Sequence, residues 1–253
     1  MGGVQVFKAS NVTISNCVTH FIGFESGSHN QALNNVVDGG YHGTDVGRGS
    51  DATTTTADDN ILLVNQSNDI VQGNTLSNTY DAGIEGVCSV TNTLIANNTM
   101  TNNLFAGVGA YYSTRWEGNT VTNNTVSQSS SLLYFLYTDR GCDSGTPTGG
   151  FLNNSFTNNV FRSPLASVSS GMFMYFPNLD PNQFSGNLMQ GNDFGSTGIT
   201  VVPATGFTNG GGNTCGGRGT INCNGIRTIV TTITIAPIQS ISPFIRRQRP
   251  ALR

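Results

Sequence analysis

Ile95-Ala96-Asn97-Asn98, followed by Gly107-Val108-Gly109-Ala110, decides how this chain is read. The first segment is an asparagine-centred strand and turn. The second is a glycine opening a short apolar triplet. Working outward, the asparagine form recurs at Ile14-Ser15-Asn16, Leu33-Asn34-Asn35, Val71-Gln72-Gly73-Asn74, Val121-Thr122-Asn123-Asn124, Phe156-Thr157-Asn158-Asn159 and Met189-Gln190-Gly191-Asn192. The glycine form recurs at Gly3-Val4-Gln5-Val6, Gly23-Phe24-Glu25-Ser26, Gly43-Thr44-Asp45-Val46, Gly83-Ile84-Glu85-Gly86, Gly171-Met172-Phe173-Met174 and Gly198-Ile199-Thr200-Val201. Its glycines are spaced 20, 20, 40, 24, 64 and 27 residues apart, and Asn60-Ile61-Leu62-Leu63 and Ser131-Leu132-Leu133-Tyr134 are degenerate members filling the longer gaps. The two forms interleave throughout, and repetition of this kind settles an architecture before any local reading does.

Each repeat holds two or three strands too short to bury a face alone. Stacked at the ~4.8 Å spacing of paired strands, successive turns make parallel sheets around a narrow apolar core, which is a solenoid. Asparagine tolerates left-handed backbone, and stacked copies hydrogen-bond to one another, so one asparagine per turn suits the corners. Composition agrees. Gly 32, Asn 30 and Thr 31 disfavour helix interiors, while 36% hydrophobic residues with only 10% charged ones exclude the usual disordered chain.

Charge narrows the partners. Four of the eleven cations, Arg246, Arg247, Arg249 and Arg253, sit in the last eight residues, leaving seven cations against fourteen acids in the body. An acidic body is poorly suited to a phosphate backbone, so nucleic acid is not expected as a partner. No apolar run approaches the ~20 residues that span a membrane. Five cysteines are too few for a disulfide-dense scaffold; Cys215 and Cys223, across a Gly-rich loop, are the one local pair, bridged or free.

The repeats resemble the right-handed parallel β-helix of the pectate-lyase-like superfamily, in its short parallel β-helix repeat form, over roughly residues 3 to 202. That resemblance implies an all-β solenoid of about eight or nine right-handed turns. The superfamily includes polysaccharide lyases, glycoside hydrolases, uronate epimerases, phage tailspikes and adhesins, so it leaves the activity open. Polygalacturonase-like hydrolases carry Asn-Thr-Asp, Asp-Asp, Gly-His-Gly and Arg-Ile-Lys in that order. Here Gly43-Thr44-Asp45 and Asp58-Asp59 echo the first two, His42-Gly43 lies on the wrong side of them, and Arg-Ile-Lys is absent, as is the Asp-Pro-His of alginate-type epimerases. Lyases of this fold use a Lys or Arg base, a role that would fall to Arg48 or Arg115.

Side chains alternate along a strand, so in each Gly-x-y-z the middle residue faces out. Acids occupy that place in the early turns. Glu25 and Asp45 are expected on adjacent turns, with Glu85 one or two turns further on. Such acids form an oxygen-ligand site for Ca²⁺ from Glu25, Asp45 and Glu85, a general acid and base pair, or plain solvated surface. Tyr41-His42-Gly43-Thr44-Asp45 and Tyr80-Asp81-Ala82-Gly83-Ile84-Glu85 occupy matching places. Asp45 and Glu85 are therefore the candidate catalytic acids, with His42 and Arg48 as base or charge-neutralising groups. Tyr41, Tyr80, Asp81 and Glu25 are the candidate substrate contacts, because tyrosines stack on sugar rings.

Residues 1–205 are read as the solenoid, lacking an N-terminal cap, 206–245 as a Gly-rich loop and covering strands, and 246–253 as a basic tail. Residues 47 to 59 and 139 to 150 hold little core-forming material and are read as bulging loops. The expected function is action on an extracellular, uronic-acid-containing polysaccharide, as lyase or hydrolase, with no cofactor or Ca²⁺, by a secreted or cell-surface protein that is part of a longer chain. The alternative is a non-catalytic stalk, adhesin or tailspike-like glycan-binding module.

Overall fold

The computed structural model describes residues 2–40, 58–111, 115–136, 150–162, 164, 170–176, 180–202, 204–216 and 223. Their strands, all paired in parallel, form three sheets of 11, 8 and 6 strands. The first sheet runs Val4–Phe7, Ile22–Ser28, Ile61–Ser67, Ala82–Thr91, Ala106–Tyr111, Ser131–Leu136, Ser170–Tyr175, Ile199–Val202, each strand bonded to the next. One strand per turn gives eight turns, and the chain coils as a right-handed parallel β-helix.

Alternation builds the core. Phe24, Ile84, Val108, Phe135, Met174 and Val201 of the first sheet point inward and are wholly or almost wholly buried. The second sheet contributes one inward residue per turn, among them Ala32, Val71, Ile95, Val121, Phe156 and Met189, and the third contributes Val37, Leu76, Met100, Val126 and Phe161. Toward the C-terminal turns the core becomes aromatic. Trp116 packs edge-on to Phe135 at 4.7 Å, and Phe151 lies parallel to Phe156 at 6.1 Å. Gly86 makes room for the indole, since a Cβ there would stand 2.6 Å from Trp116 Cζ2.

The corners divide the asparagine's two abilities between neighbouring residues. Asn34, Asn97, Asn123 and Asn158 take positive φ, as do Gly73 and Gly191 on the other turns of the same corner. The residue after each, Asn35, Asn74, Asn98, Asn124, Asn159 and Asn192, turns inward and is buried. Asn35 Oδ1 accepts the Cys17 N–H at 3.0 Å, and from Asn74 onward each buried carboxamide oxygen accepts the backbone N–H of the previous turn's asparagine at 2.9–3.0 Å along a ladder that ends on Asn213. The Nδ2 groups donate both to the next rung and to a carbonyl of the turn before, as Asn98 does to Asn124 Oδ1 and Val71 O. Every buried polar group on such a rung is paired, which is the condition for placing it inside.

Two features depart from the sequence reading. The strand Ile22–Ser28 pairs directly with Ile61–Ser67, so Ile61 to Val64 take the sheet position expected for Gly43-Thr44-Asp45-Val46, and the neighbour of Glu25 on the next turn is Val64. The repeat also runs past Pro203: Phe207–Asn209 pairs with Asn187–Gln190, and Cys215 and Cys223 are bridged beyond it. The Thr- and Ile-rich stretch from 228 to 245 and the arginine tail lie outside the described residues, as does the loop 139–149.

Candidate acidic site on the first sheet

The outward residues of the first sheet form columns. Leu62, Glu85, Gly109, Tyr134, Phe173 and Thr200 are successive partners in one of them. Glu25 belongs to a different column, two residues further along its strand and two turns away from Glu85. The two glutamates are therefore not brought together: two ladder steps alone separate them by ~10 Å. Glu25 is half-exposed and accepts a hydrogen bond from Gln5 Nε2 at 3.3 Å. As a pair they do not make the expected Ca²⁺ ligand set, whose third member, Asp45, lies with Tyr41, His42 and Arg48 outside the described residues. Among the described residues no group of three His, Cys, Asp or Glu is arranged to hold a metal ion.

Glu85 has other company. Asp58 and Asp59 lead into Ile61–Ser67, and Tyr80 and Asp81 lead into Ala82–Thr91 on the next turn. Backbone bonds hold these two lead-ins side by side: Asp81 N–H donates to Asp58 O at 2.8 Å, and Asn60 N–H to Ala82 O at 3.2 Å. Asp59 Oδ1 accepts Ala82 N–H at 3.1 Å, and the Asp59 and Glu85 carboxyls hydrogen-bond to each other. Asp81 keeps a buried Oδ1 without a partner.

Burial governs the charge here. It pushes the Asp59 carboxyl up to about 7, against the pull of the bonds from Glu85 and from the Ala82 amide, with the Asp58 charge adding to the rise. Glu85 is driven well above the ordinary carboxyl range by burial, then by the charges of Asp59 and Asp81 and by its bond to Asp59. Asp81 rises for the same reasons, burial first and then Asp59 and Asp58, and Asp58 rises by burial. A carboxyl pair joined by a hydrogen bond needs a proton between its oxygens, so one of Asp59 and Glu85 is protonated there.

Aromatic rings border the acids. Tyr80, Phe105, Tyr134 and Phe173 are each half-buried and form a continuous strip, with centroids 6.2, 6.1 and 5.0 Å apart in that order. Both tyrosines feel the acids: burial and then Asp81 push the Tyr134 hydroxyl up to about 12, and Tyr80 rises through burial, Asp81 and Asp58. The described cations lie elsewhere. Lys8 sits over Phe7, Arg115 pairs with Glu117 at 2.8 Å, and Arg162 with Asp193 at 2.7 Å.

A family model described as "Right handed beta helix region" matches residues 1–161, more than half of the chain. The chain belongs to this family. No curated protein matches it. Within this right-handed β-helix, sequence reasoning found Tyr80, Asp81 and Glu85 within one six-residue segment of one turn. It did not assign Asp59, Asp58, Phe105, Tyr134 and Phe173 to the site. Asp58-Asp59 carried a visible signal, the echo of a hydrolase Asp-Asp, but was assigned to a loop because no apolar residue precedes it for ten positions except alanine. The strip was hidden because its rings come from four separate turns of the β-helix.

Proposed function

We propose that this β-helix acts on an extracellular polysaccharide and cleaves it by acid and base catalysis. What carries the reading is the hydrogen-bonded Asp59–Glu85 pair, flanked by Asp81 and bordered by a strip of half-exposed rings. Hydrolysis of a glycosidic bond asks for one carboxyl that donates a proton to the leaving oxygen and another that is ionised. Environments that push two carboxyls apart supply that division, and here Glu85 holds the proton while Asp59 accepts. Glu85 is thus the general acid; Asp59, bonded directly to it and so closer than the ~5–9.5 Å between the two carboxyls of a glycosidase, holds that proton in place and does not itself attack the sugar.

We take hydrolysis as the reading in preference to elimination, on the described residues alone. A lyase abstracts a proton beside a uronate carboxylate and needs a cation to neutralise it, and the described cations are engaged elsewhere, Arg115 with Glu117. A pair that shares one proton carries half the charge of two carboxylates and so repels an acidic glycan less, which keeps both uronic-acid-containing and neutral chains within reach. The rings of Tyr80, Phe105, Tyr134 and Phe173 suit the apolar faces of sugars. Two observations support an oxidising, extracellular setting: the Cys215–Cys223 bridge, and Cys88, which is also disulfide-bonded.

The aromatic strip would equally serve a non-catalytic glycan-binding module. Incubation with a panel of uronic-acid and neutral polysaccharides, with and without Ca²⁺, separates the readings. New reducing ends identify a hydrolase, unsaturated ends a lyase, and retention on a glycan without product a binding module.

A further inference from the structure

A second stack of buried side chains lines the corner that leads into the second sheet: Asn30, Asp69, Thr93, Asn119, Asn154 and Asn187, one per turn. Its four asparagines obey one rule. Each points Nδ2 at a carbonyl of the preceding turn: Ala9, Val90, Trp116 and Phe151, at 3.1, 2.8, 2.8 and 2.9 Å. In every case that carbonyl lies three residues before the residue at the same corner of the preceding turn, Val12, Thr93, Asn119 and Asn154. Applied to Asp69, the rule assigns the carbonyl of Gly27. Asp69 Oδ1 does the usual accepting, from Asn30 N–H at 2.8 Å, while Oδ2 is buried with no partner. A carboxylate oxygen held where its counterparts present an N–H meets a carbonyl as acceptor against acceptor. A carboxylic acid in the same place donates.

We propose that Asp69 keeps its proton in the folded protein and uses it as the donor to the preceding turn, which makes this rung a pH-sensitive joint of the β-helix. Burial pushes the Asp69 carboxyl up to about 7, against the smaller pull of the Asn30 N–H. The groups facing it are uncharged. Asn30 comes from the preceding turn, and its Nδ2 goes to Gln66 Oε1 at 3.0 Å in place of the rung. Thr93 comes from the following turn, with Oγ1 3.4 Å from Asp69 N, the longest link in the stack. His29, beside Asn30 in sequence, is exposed, with its ring on Ser28 Oγ at 3.1 Å.

The sign follows from linkage. A group that holds its proton more tightly when folded adds stability below its unfolded range and loses that contribution as the pH rises through the folded value. The test is the melting temperature of the full chain and of Asp69→Asn at about pH 3.5, below the unfolded carboxyl range, and at about pH 8.5. The expected result is near equality at the lower pH and a gain of several degrees for Asp69→Asn at the higher one. The second expected observation is that the protonated-carboxyl infrared absorbance of the parent at about pH 5.5 falls by one group in Asp69→Asn, while that of the Asp59–Glu85 pair stays. Equal pH dependence in both proteins would overturn the proposal, as would an unfolded Asp69→Asn, since asparagine is what the regular rungs hold. The outcome does not depend on any glycan being cleaved.

Discussion

Asp59 and Glu85 meet through their carboxyl groups across two consecutive turns, and the hydrogen bond between them needs a proton. Neither residue is unusual alone. Together, in a buried setting with Asp58 and Asp81 beside them, they turn a weakly charged surface into a place where protonation is finely balanced.

That balance predicts an inverted pH profile of stability. Carboxyls raised on folding stabilise the native state in acid, and their contribution falls away as the pH climbs through about 7, the value to which Asp59 is pushed. Asp193 works the other way, lowered by its bonds to Arg162 and Gly195, but it is one partly exposed group. Thermal melts across the range should show the highest midpoint in mild acid and a decline toward alkaline pH. A midpoint that rises steadily with pH would contradict the burial of the acids.

The corner ladder predicts a contrast between adjacent residues. Asn98→Ala strips the acceptor from the Asn74 N–H and Nδ2 groups and the donor from Val71 O, all buried. One buried polar group left unpaired costs about 1–3 kcal/mol, so the loss should reach at least that much. Asn97→Gly, at φ 55 where two other turns carry glycine, should change stability by no more than about 0.5 kcal/mol. Denaturant unfolding of both variants checks the pair of values.

Core shape supplies the next expectation. Gly86→Ala places a methyl 2.6 Å from the Trp116 ring, which is buried and packed against Phe135. Overpacking of this kind costs about 1–3 kcal/mol. Tryptophan fluorescence, arising from the one indole in the chain, should shift as the ring is displaced.

The aromatic strip predicts a binding defect without a folding defect. Phe173→Ala removes the last ring, half-exposed and distant from the acids along the column, so the melting curve should stay within a few degrees of the parent. Retention on the glycan that the parent binds should weaken by roughly three- to tenfold, the value of one aromatic contact. Unchanged retention would remove the strip from the binding surface.

The fold was largely legible because a coiled stack repeats its constraints: a glycine or left-handed asparagine at each corner, one inward residue on each short strand. The reading went astray where a single turn imitates the pattern. Gly43-Thr44-Asp45-Val46 has the local form of a repeat strand and falls at the right spacing, but spacing says nothing about pairing, and Ile61 to Val64 take the place beside Ile22–Ser28. The same limit hid the site. Alternation placed Glu85 outward, as it is, while the partners that bury it come from the preceding lead-in and from rings on later turns. Asparagine presented a subtler difficulty, since composition cannot say that one of two adjacent copies bends the chain and the other bonds across turns.

The central claim is that Glu85 donates the proton in glycan cleavage, and the most direct measurement is the release of reducing ends from the polysaccharide panel by the parent and by Glu85→Gln. Glutamine keeps a donor toward Asp59 and relieves the crowding of acids, so the variant should fold and melt no lower than the parent. The account predicts product from the parent on at least one glycan and a loss of at least about a hundredfold in the variant, the usual weight of a general acid. Equal rates from the two proteins, or no product from the parent on any glycan, would contradict it.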